Sequence, residues 1–149
     1  MVLENIRPWD SSTRRTVKTT AYSHMENEPG AVGKKSAAGN TLRYGRVRSA
    51  AADWSRYPLG TRFKISGDWH IYEIDDYGST LVGTNTIDLY KPNLRLMKEW
   101  GCRHVDIHIL EWGSFEESNA ILERRLKYPH VWRMHRALQP QLRKQRSRR

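Results

Sequence analysis

The chain has 149 residues and a formal net charge of +10, and this length supports one domain with a sizeable core rather than two. A hydrophobic content of 38%, with six Trp and seven Tyr, excludes an intrinsically disordered protein. The single cysteine excludes an intrachain disulfide and a multi-cysteine zinc site, and the absence of a run of about 18 apolar residues excludes a transmembrane helix.

The first third of the chain predicts an arm, a strand and a long loop. Residues 1–15 are polar and charged without apolar periodicity, as expected of an N-terminal arm. Residues 17–22 are rich in Thr and Val and predict the first strand. Residues 23–47 contain several glycines and little periodicity, and we expect them to form a surface loop that passes over a binding face.

The middle of the chain predicts several short strands and one helix. Gly67 and Asp68 supply the chemistry of a hairpin turn between two of these strands. Pro92 lies near the start of a helix that Gly101 ends. Cys102 stands at the start of an apolar strand and is predicted to be a buried free thiol. The predicted strands are residues 47–52, 62–65, 69–74, 86–89 and 105–110.

The C-terminal part of the chain predicts two helices and a basic tail. Ser114 is a good N-cap for a first helix, and Pro129 and Pro140 bound a second helix over residues 130–138. Residues 143–149 are predicted to be a disordered tail. Residues 115–149 carry 10 basic and 3 acidic side chains, against 16 and 13 in residues 1–114. This segment therefore predicts contact with an anionic surface.

Six short strands with one inserted helix favour a closed, mainly β barrel over a parallel α/β sheet. The predicted organisation is an arm at residues 1–15, a barrel domain at residues 16–114, and a basic helical extension and tail at residues 115–149.

Three aspartates, Asp53, Asp76 and Asp88, are the best candidates for chemistry. Each follows a predicted strand or lies near its end, and the last two bracket a loop rich in Gly, Ser, Thr and Asn. A structural interpretation is that they cap strands and turns. The functional interpretation is that the loop brings carboxylates together, so that one pKa rises and an acid becomes available for cleavage of a glycosidic bond.

The same residues carry a resemblance that extends from residue 19 to about residue 110. The chain resembles the 3D (three-aspartate) domain family of bacterial cell-wall proteins, which is related to the catalytic barrel of the membrane-bound lytic transglycosylases. The matching pieces are Thr20-Ala21-Tyr22, Ser36-Ala37-Ala38-Gly39, Ala51-Ala52-Asp53, Tyr57-Pro58-Leu59-Gly60-Thr61, Asp76-Tyr77-Gly78-Ser79, Gly83, Ile87-Asp88-Leu89-Tyr90 and Trp100-Gly101.

The resemblance implies a six-stranded double-psi β-barrel and a peptidoglycan lytic transglycosylase that cleaves the bond between N-acetylmuramic acid and N-acetylglucosamine. Asp88 stands at the position of the catalytic acid/base, while Asp76 and Asp53 stand at positions that support the site. Thr20 and Tyr22 are implied to line the sugar groove. The loop residues at the matching positions are Gly78, Ser79 and Gly83. No metal or other cofactor is implied.

Two departures from the family pattern leave the substrate open. The family often has Asp-Thr-Gly-Gly where this chain has Asp76-Tyr77-Gly78-Ser79, and Val82 replaces a common basic residue before Gly83. An alternative function is therefore a non-catalytic polysaccharide-binding module of the expansin-like kind. His104 and His108 share a strand face but have no third metal ligand nearby.

The expected location is the cell envelope or the exterior, after removal of a leader that is absent from this chain, and a cytoplasmic location is the alternative. The expected partners are peptidoglycan or a related polysaccharide and, through the basic C-terminal segment, an anionic envelope surface. Nucleic acid is the less favoured partner, because no recognised DNA- or RNA-binding module accompanies the basic tail.

Overall fold

A computed structural model describes residues 13–24 and 34–148 of the chain. The strands are β1 (Arg14–Tyr22), β2 (Val47–Ala51), β3 (Arg62–Ile65), β4 (Ile71–Asp76), β5 (Ile87–Tyr90) and β6 (Arg103–Glu111). The helices are α1 (Leu94–Trp100), α2 (Phe115–Leu122) and α3 (Pro129–Ser147), with a short 3-10 turn at Glu123–Arg125 between the last two. All six predicted strands exist, within a few residues of their expected bounds. Most of the predicted arm lies outside the described residues.

The six strands close into a barrel in the order β1, β5, β2, β4, β3, β6. Two of the pairings, β1 with β5 and β2 with β4, are parallel, and the remaining four are antiparallel. A closed mixed barrel leaves no strand edge unpaired. The predicted closed, mainly β barrel is therefore confirmed.

Alternation along β3 and β6 directs apolar side chains into the barrel interior. In β6, Ile107 and Ile109 are buried, whereas Asp106 before them and Leu110 after them are exposed and His108 between them is half-buried. This alternation is what a strand with one buried face requires. The predicted turn at Gly67 is also observed, since its φ of 83° lies in the left-handed region and β3 and β4 pair on either side of it.

The helices α2 and α3 share one hydrophobic core with the barrel. Met134 and Leu138 on α3 are fully buried in the same cluster as the barrel residue Phe63. Ser114 caps α2 as predicted, because its side chain accepts a hydrogen bond from the Glu117 N–H. The C-terminal segment is therefore packed onto the barrel rather than tethered to it.

The predicted end of the last helix at Pro140 is wrong. The helix α3 continues through Pro140 to Ser147, so most of the predicted disordered tail is helical. Proline in a helix interior removes one hydrogen bond and costs about 3 kcal/mol. Burial of Leu142, two residues beyond Pro140, offsets part of this cost because the side chain joins the core.

The prediction that Cys102 is buried is also wrong, because this cysteine is exposed. It lies in the link between α1 and β6, just before the strand begins. Its position is even-numbered, like those of the exposed residues His104 and Asp106, while the buried positions of β6 are odd-numbered. Period-two alternation therefore directs Cys102 away from the core.

Among the described residues, none of the helices has both the length and the hydropathy that crossing a lipid bilayer requires.

Candidate functional site

Strand register places two of the three aspartates on either side of one alanine. Ala51 on β2 pairs with Asp88 on β5 and with Asp76 on β4. Thr20 on β1 pairs with Asp88 from the other side, so the four residues lie in one row across four neighbouring strands. Since adjacent strands are about 4.8 Å apart, the Cα atoms of the two aspartates are separated by about 10 Å.

Asp76 is held by three hydrogen bonds. Its Oδ1 accepts from the backbone N–H of Ala37 at 2.8 Å and of Tyr77 at 3.0 Å, and its Oδ2 accepts from the Tyr22 hydroxyl at 3.1 Å. Burial outweighs these bonds and raises the pKa of Asp76 to about 6. The site therefore contains a carboxyl group that changes its protonation state close to neutral pH.

Tyr22 connects the aspartates electrostatically. Burial, together with the charges of Asp76, Asp75 and Asp88, raises the pKa of its hydroxyl far above the usual range. The hydroxyl therefore stays protonated and acts as a hydrogen-bond donor to Asp76. Asp88 is half-buried, and its Oδ1 accepts a hydrogen bond of 2.9 Å from the Thr20 hydroxyl. The structure thus brings both predicted β1 residues, Thr20 and Tyr22, to the carboxylates.

Asp53 has a different environment from the other two aspartates. It is 1% exposed, and its Oδ1 accepts from both the backbone N–H and the hydroxyl of Ser55, at 2.8 and 2.7 Å. Its Oδ2 accepts from the N–H of Gly83 at 2.8 Å. Asp53 therefore fixes the loop between β4 and β5 to the turn after β2, and its role at the site is to hold that loop in place.

Asp75 belongs to the site although the sequence assigned it no role. The pairing of β2 with β4 shifts between Ala50 and Ala51, which makes Asp75 the extra residue of a β-bulge. Its Oδ2 accepts hydrogen bonds from Ser49 at 2.6 Å and from Asn40 at 2.8 Å. Burial raises the pKa of Asp75 as well. A bulge is not visible in strand periodicity, so the sequence could not show that Asp75 lies at the site.

The described part of the long loop lies against these carboxylates. Ala37 donates to the Asp76 side chain, and the N–H of Ala38 donates to the backbone carbonyl of Asp75 at 3.2 Å. Arg125 then joins this loop to the far side of the site, since its guanidinium donates to the Ala37 carbonyl and to the Tyr77 hydroxyl. The segment after α2 thus supplies one wall of the site. Residues 25–33 lie outside the described residues.

The remaining predicted loop residues, Gly78, Ser79 and Gly83, have fewer contacts with the three aspartates. Gly83 contacts Asp53, as above, and has a φ of 87°. Ser79 is exposed, and its side chain has no hydrogen-bond partner in the described ranges 13–24 and 34–148. Gly78 precedes it in the same loop and its carbonyl accepts from the N–H of Leu81. The structure therefore brings Gly83, but not the side chain of Ser79, into the hydrogen-bonded network.

Aromatic rings can offer stacking platforms for sugars, but most of those in the barrel domain are core residues. Trp54 and Tyr57 are buried, and Tyr90 is 4% exposed. Tyr77 is half-buried and packs edge-on against Trp54 at 5.0 Å between ring centroids. Trp69 is 65% exposed, but it lies in the β3–β4 turn. Over the described ranges, no three His, Cys, Asp or Glu side chains are arranged to hold a metal ion.

The raised pKa of Asp76 predicts a pH-dependent effect of Asp76→Asn. The ordinary value of 3.8 is raised to about 6 in the fold, so ionisation of Asp76 destabilises the native state, and this cost develops as the pH rises from about 4 to about 6. Asparagine stays neutral. We therefore expect the variant to have a free energy of unfolding about 2 to 3 kcal/mol higher than the natural chain at pH 7.5 and nearly equal at pH 4.

Urea denaturation across this pH range measures the difference. The matched control is Asp106→Asn, which makes the same chemical change on an exposed residue of β6. A difference for Asp76→Asn that stays constant with pH would contradict the argument.

No protein-family model matches the chain, and no curated protein matches it in sequence. Its function therefore has to be argued from the site itself.

Proposed function

We propose that the chain is a cell-wall glycan-processing protein with a 3D-type double-psi β-barrel, and that it is a peptidoglycan lytic transglycosylase with Asp88 as general acid/base. The observation that carries the proposal is the row formed by Thr20, Asp88, Ala51 and Asp76. It places a half-buried aspartate next to a hydroxyl donor and in the same row as a second half-buried carboxyl group, whose pKa is raised.

The reaction needs one group that donates and then accepts a proton. Asp88 in its acid form protonates the glycosidic oxygen O4 as the C1–O4 bond breaks. The resulting carboxylate then takes the proton from the 6-hydroxyl of the same muramic acid, and O6 attacks C1. The product is a 1,6-anhydro sugar, Asp88 returns to its acid form, and neither water nor a metal ion is consumed.

The other polar residues prepare the site for this step. Asp76 lies two strands away from Asp88 in the same row, and burial raises its pKa to about 6. Tyr22 holds Asp76 and is kept protonated by the same cluster. Asp53 fixes Gly83 and with it the loop that leads into β5. These three residues are positioning residues in the proposal, and Asp88 is the catalytic one.

The basic face of α3 supports the proposed contact with an anionic envelope surface. This helix contains no acidic residue, and Arg133, Arg136, Arg143 and Lys144 are exposed on it. Polyvalent attraction to teichoic or lipid phosphates holds such a helix against the wall and weakens as salt is added. In this proposal the protein works in the cell envelope or outside the cell.

Digestion of purified peptidoglycan by the natural chain tests the enzymatic proposal. We expect soluble muropeptides that end in 1,6-anhydro-muramic acid, identified by mass spectrometry through the loss of one water relative to hydrolytic products. Reducing muramic ends would instead indicate a hydrolase. No soluble product, together with sedimentation of the protein with the insoluble wall, would overturn the enzyme and leave the non-catalytic polysaccharide-binding module.

A further inference from the structure

Lys91 is a buried lysine that the proposed reaction does not use. The residue directly follows β5 in the chain and is only 5% exposed. Its ammonium lies 4.7 Å from the ring centre of Trp100 and 5.5 Å from that of Tyr44. In the described ranges it has no carboxylate within 4 Å and no hydrogen-bond acceptor. Lysines are almost never buried this deeply unless they are paired.

A second cation lies beside it. The Arg48 guanidinium stacks on Tyr44 at 3.8 Å from the ring centre, and it donates to the Gly45 carbonyl at 3.1 Å and to His70 at 2.8 Å. None of these partners is an anion. Burial, then the charge of Arg48, lowers the pKa of Lys91, and Arg103 acts in the same direction. The like charges of Lys91, Arg48 and Arg103 therefore repel one another.

The nearest acid does not neutralise this cluster. Asp68 attracts Lys91 from a distance, but its oxygens already accept from the N–H and ring of His70 and from the Tyr72 hydroxyl. Arg103 in turn donates to the carbonyls of Glu99 and Trp100. An oxyanion placed between Lys91 and Arg48 would remove the repulsion and gain charge-assisted hydrogen bonds.

Aromatic rings connect the cluster to the candidate site. The N–H of Lys91 donates to the Tyr22 carbonyl at 2.8 Å, so the lysine is fixed to the strand that carries Tyr22. The ring of Tyr90 lies 5.7 Å from that of Tyr22 and 6.5 Å from that of Tyr44. At one end of this series of rings, the Tyr22 hydroxyl donates to Asp76. At the other end, the Tyr44 ring contacts both cations.

We propose that Lys91 and Arg48 bind a carboxylate of the ligand that occupies the site, which makes the preferred ligand an acidic glycan. This inference rests on the proposed function and names its substrate class. A glycan that carries a free carboxylate at one sugar places that group on the cations while a neighbouring glycosidic bond lies at Asp88.

Two sugars that differ in the carboxylate test this inference. N-acetylmuramic acid carries a lactyl carboxylate, and N-acetylglucosamine has the same ring without it. The indole N–H of Trp100 donates to Thr19 beside the cluster and serves as the NMR reporter in titrations of the full chain. We expect the natural chain to bind N-acetylmuramic acid about tenfold more tightly than N-acetylglucosamine.

Substitution of the lysine should remove this preference. Lys91→Met keeps the length of the side chain and should make the two dissociation constants equal, whereas Lys91→Arg should keep most of the difference. Lys98→Met, on the exposed face of α1, makes the same change in net charge and should change nothing. An undiminished preference in Lys91→Met, with its fold intact by circular dichroism, would overturn the proposal.

A third titration, with sodium acetate and then inorganic phosphate, separates this proposal from the proposed function. Equal binding of both sugars by the natural chain overturns the carboxylate site and leaves the glycan groove. Lys91-dependent binding of acetate without binding of either sugar overturns the glycan ligand and supports the oxyanion site. Phosphate binding without acetate binding overturns the assignment to a carboxylate.

Discussion

Asp88→Asn is expected to lower the rate of peptidoglycan cleavage by about 100- to 10,000-fold. Asparagine has nearly the same shape as aspartic acid, and its amide oxygen still accepts the hydrogen bond that Thr20 donates at 2.9 Å. It has no acidic proton to give to the glycosidic oxygen and is not basic enough to take one from the 6-hydroxyl. The variant should therefore lose turnover but still sediment with the insoluble wall. Release of anhydro-muropeptides over time at saturating peptidoglycan measures turnover, and sedimentation measures binding.

Asp106→Asn provides the comparison for Asp88→Asn. Asp106 is exposed on β6, which does not belong to the row of strands that carries the site. This variant should retain nearly the full rate. If Asp88→Asn kept more than about a tenth of the natural activity, Asp88 would not be the general acid/base.

Gly113→Ala should be the most destabilising single substitution in the link between the barrel and α2. A Cβ atom at this position would lie 2.1 Å from the Leu59 carbonyl oxygen and 2.5 Å from the Thr61 nitrogen, and both are backbone atoms. In the same turn, the Leu59 carbonyl accepts a hydrogen bond from the Ser114 N–H, and the Leu59 N–H donates to the Ser118 hydroxyl on α2. Relief of the overlap would separate these elements, at a cost of about 3 to 5 kcal/mol. Thermal unfolding should show a Tm lower by about 10 °C or more.

The matched control for this substitution is Gly45→Ala. A Cβ atom there meets nothing within 4 Å, and the φ of Gly45 is not positive. Its Tm should stay within a few degrees of the natural chain. Equal losses in the two variants would mean that the close approach at Gly113 is not what makes it sensitive.

The barrel could be predicted because its signals are local. Val105, Ile107 and Ile109 alternate with polar residues, and this pattern defines a half-buried strand without reference to the rest of the chain. The N-cap at Ser114 is equally local. The continuation of α3 through Pro140 could not be seen in this way, because the burial of Leu142 in the common core depends on tertiary packing.

The candidate site was predictable only in part, for the same reason. Thr20 and Tyr22 reach the carboxylates through the parallel pairing of β1 with β5, and the resemblance implied their place in the groove but not their partners. The bulge at Asp75 depends on the register of two strands, which periodicity does not report. Lys91 gave no signal at all, since its burial results from rings contributed by Tyr44, on a distant loop, and by Trp100, at the end of α1.

The position of β1 in the barrel has a consequence for how the chain folds. Both of its neighbours come late in the sequence: Thr20 bonds to Asp88 across 68 residues, and Thr16 bonds to Asp106 across 90. At translation rates of 5–20 residues per second, β1 waits roughly 3 to 18 s for these partners to be synthesised. Such high contact order also places barrel closure among the slower folding events. Meanwhile Arg14, Arg15 and Lys18 keep the unpaired strand charged, and like-charge repulsion protects it from pairing with the same strand of a neighbouring nascent chain.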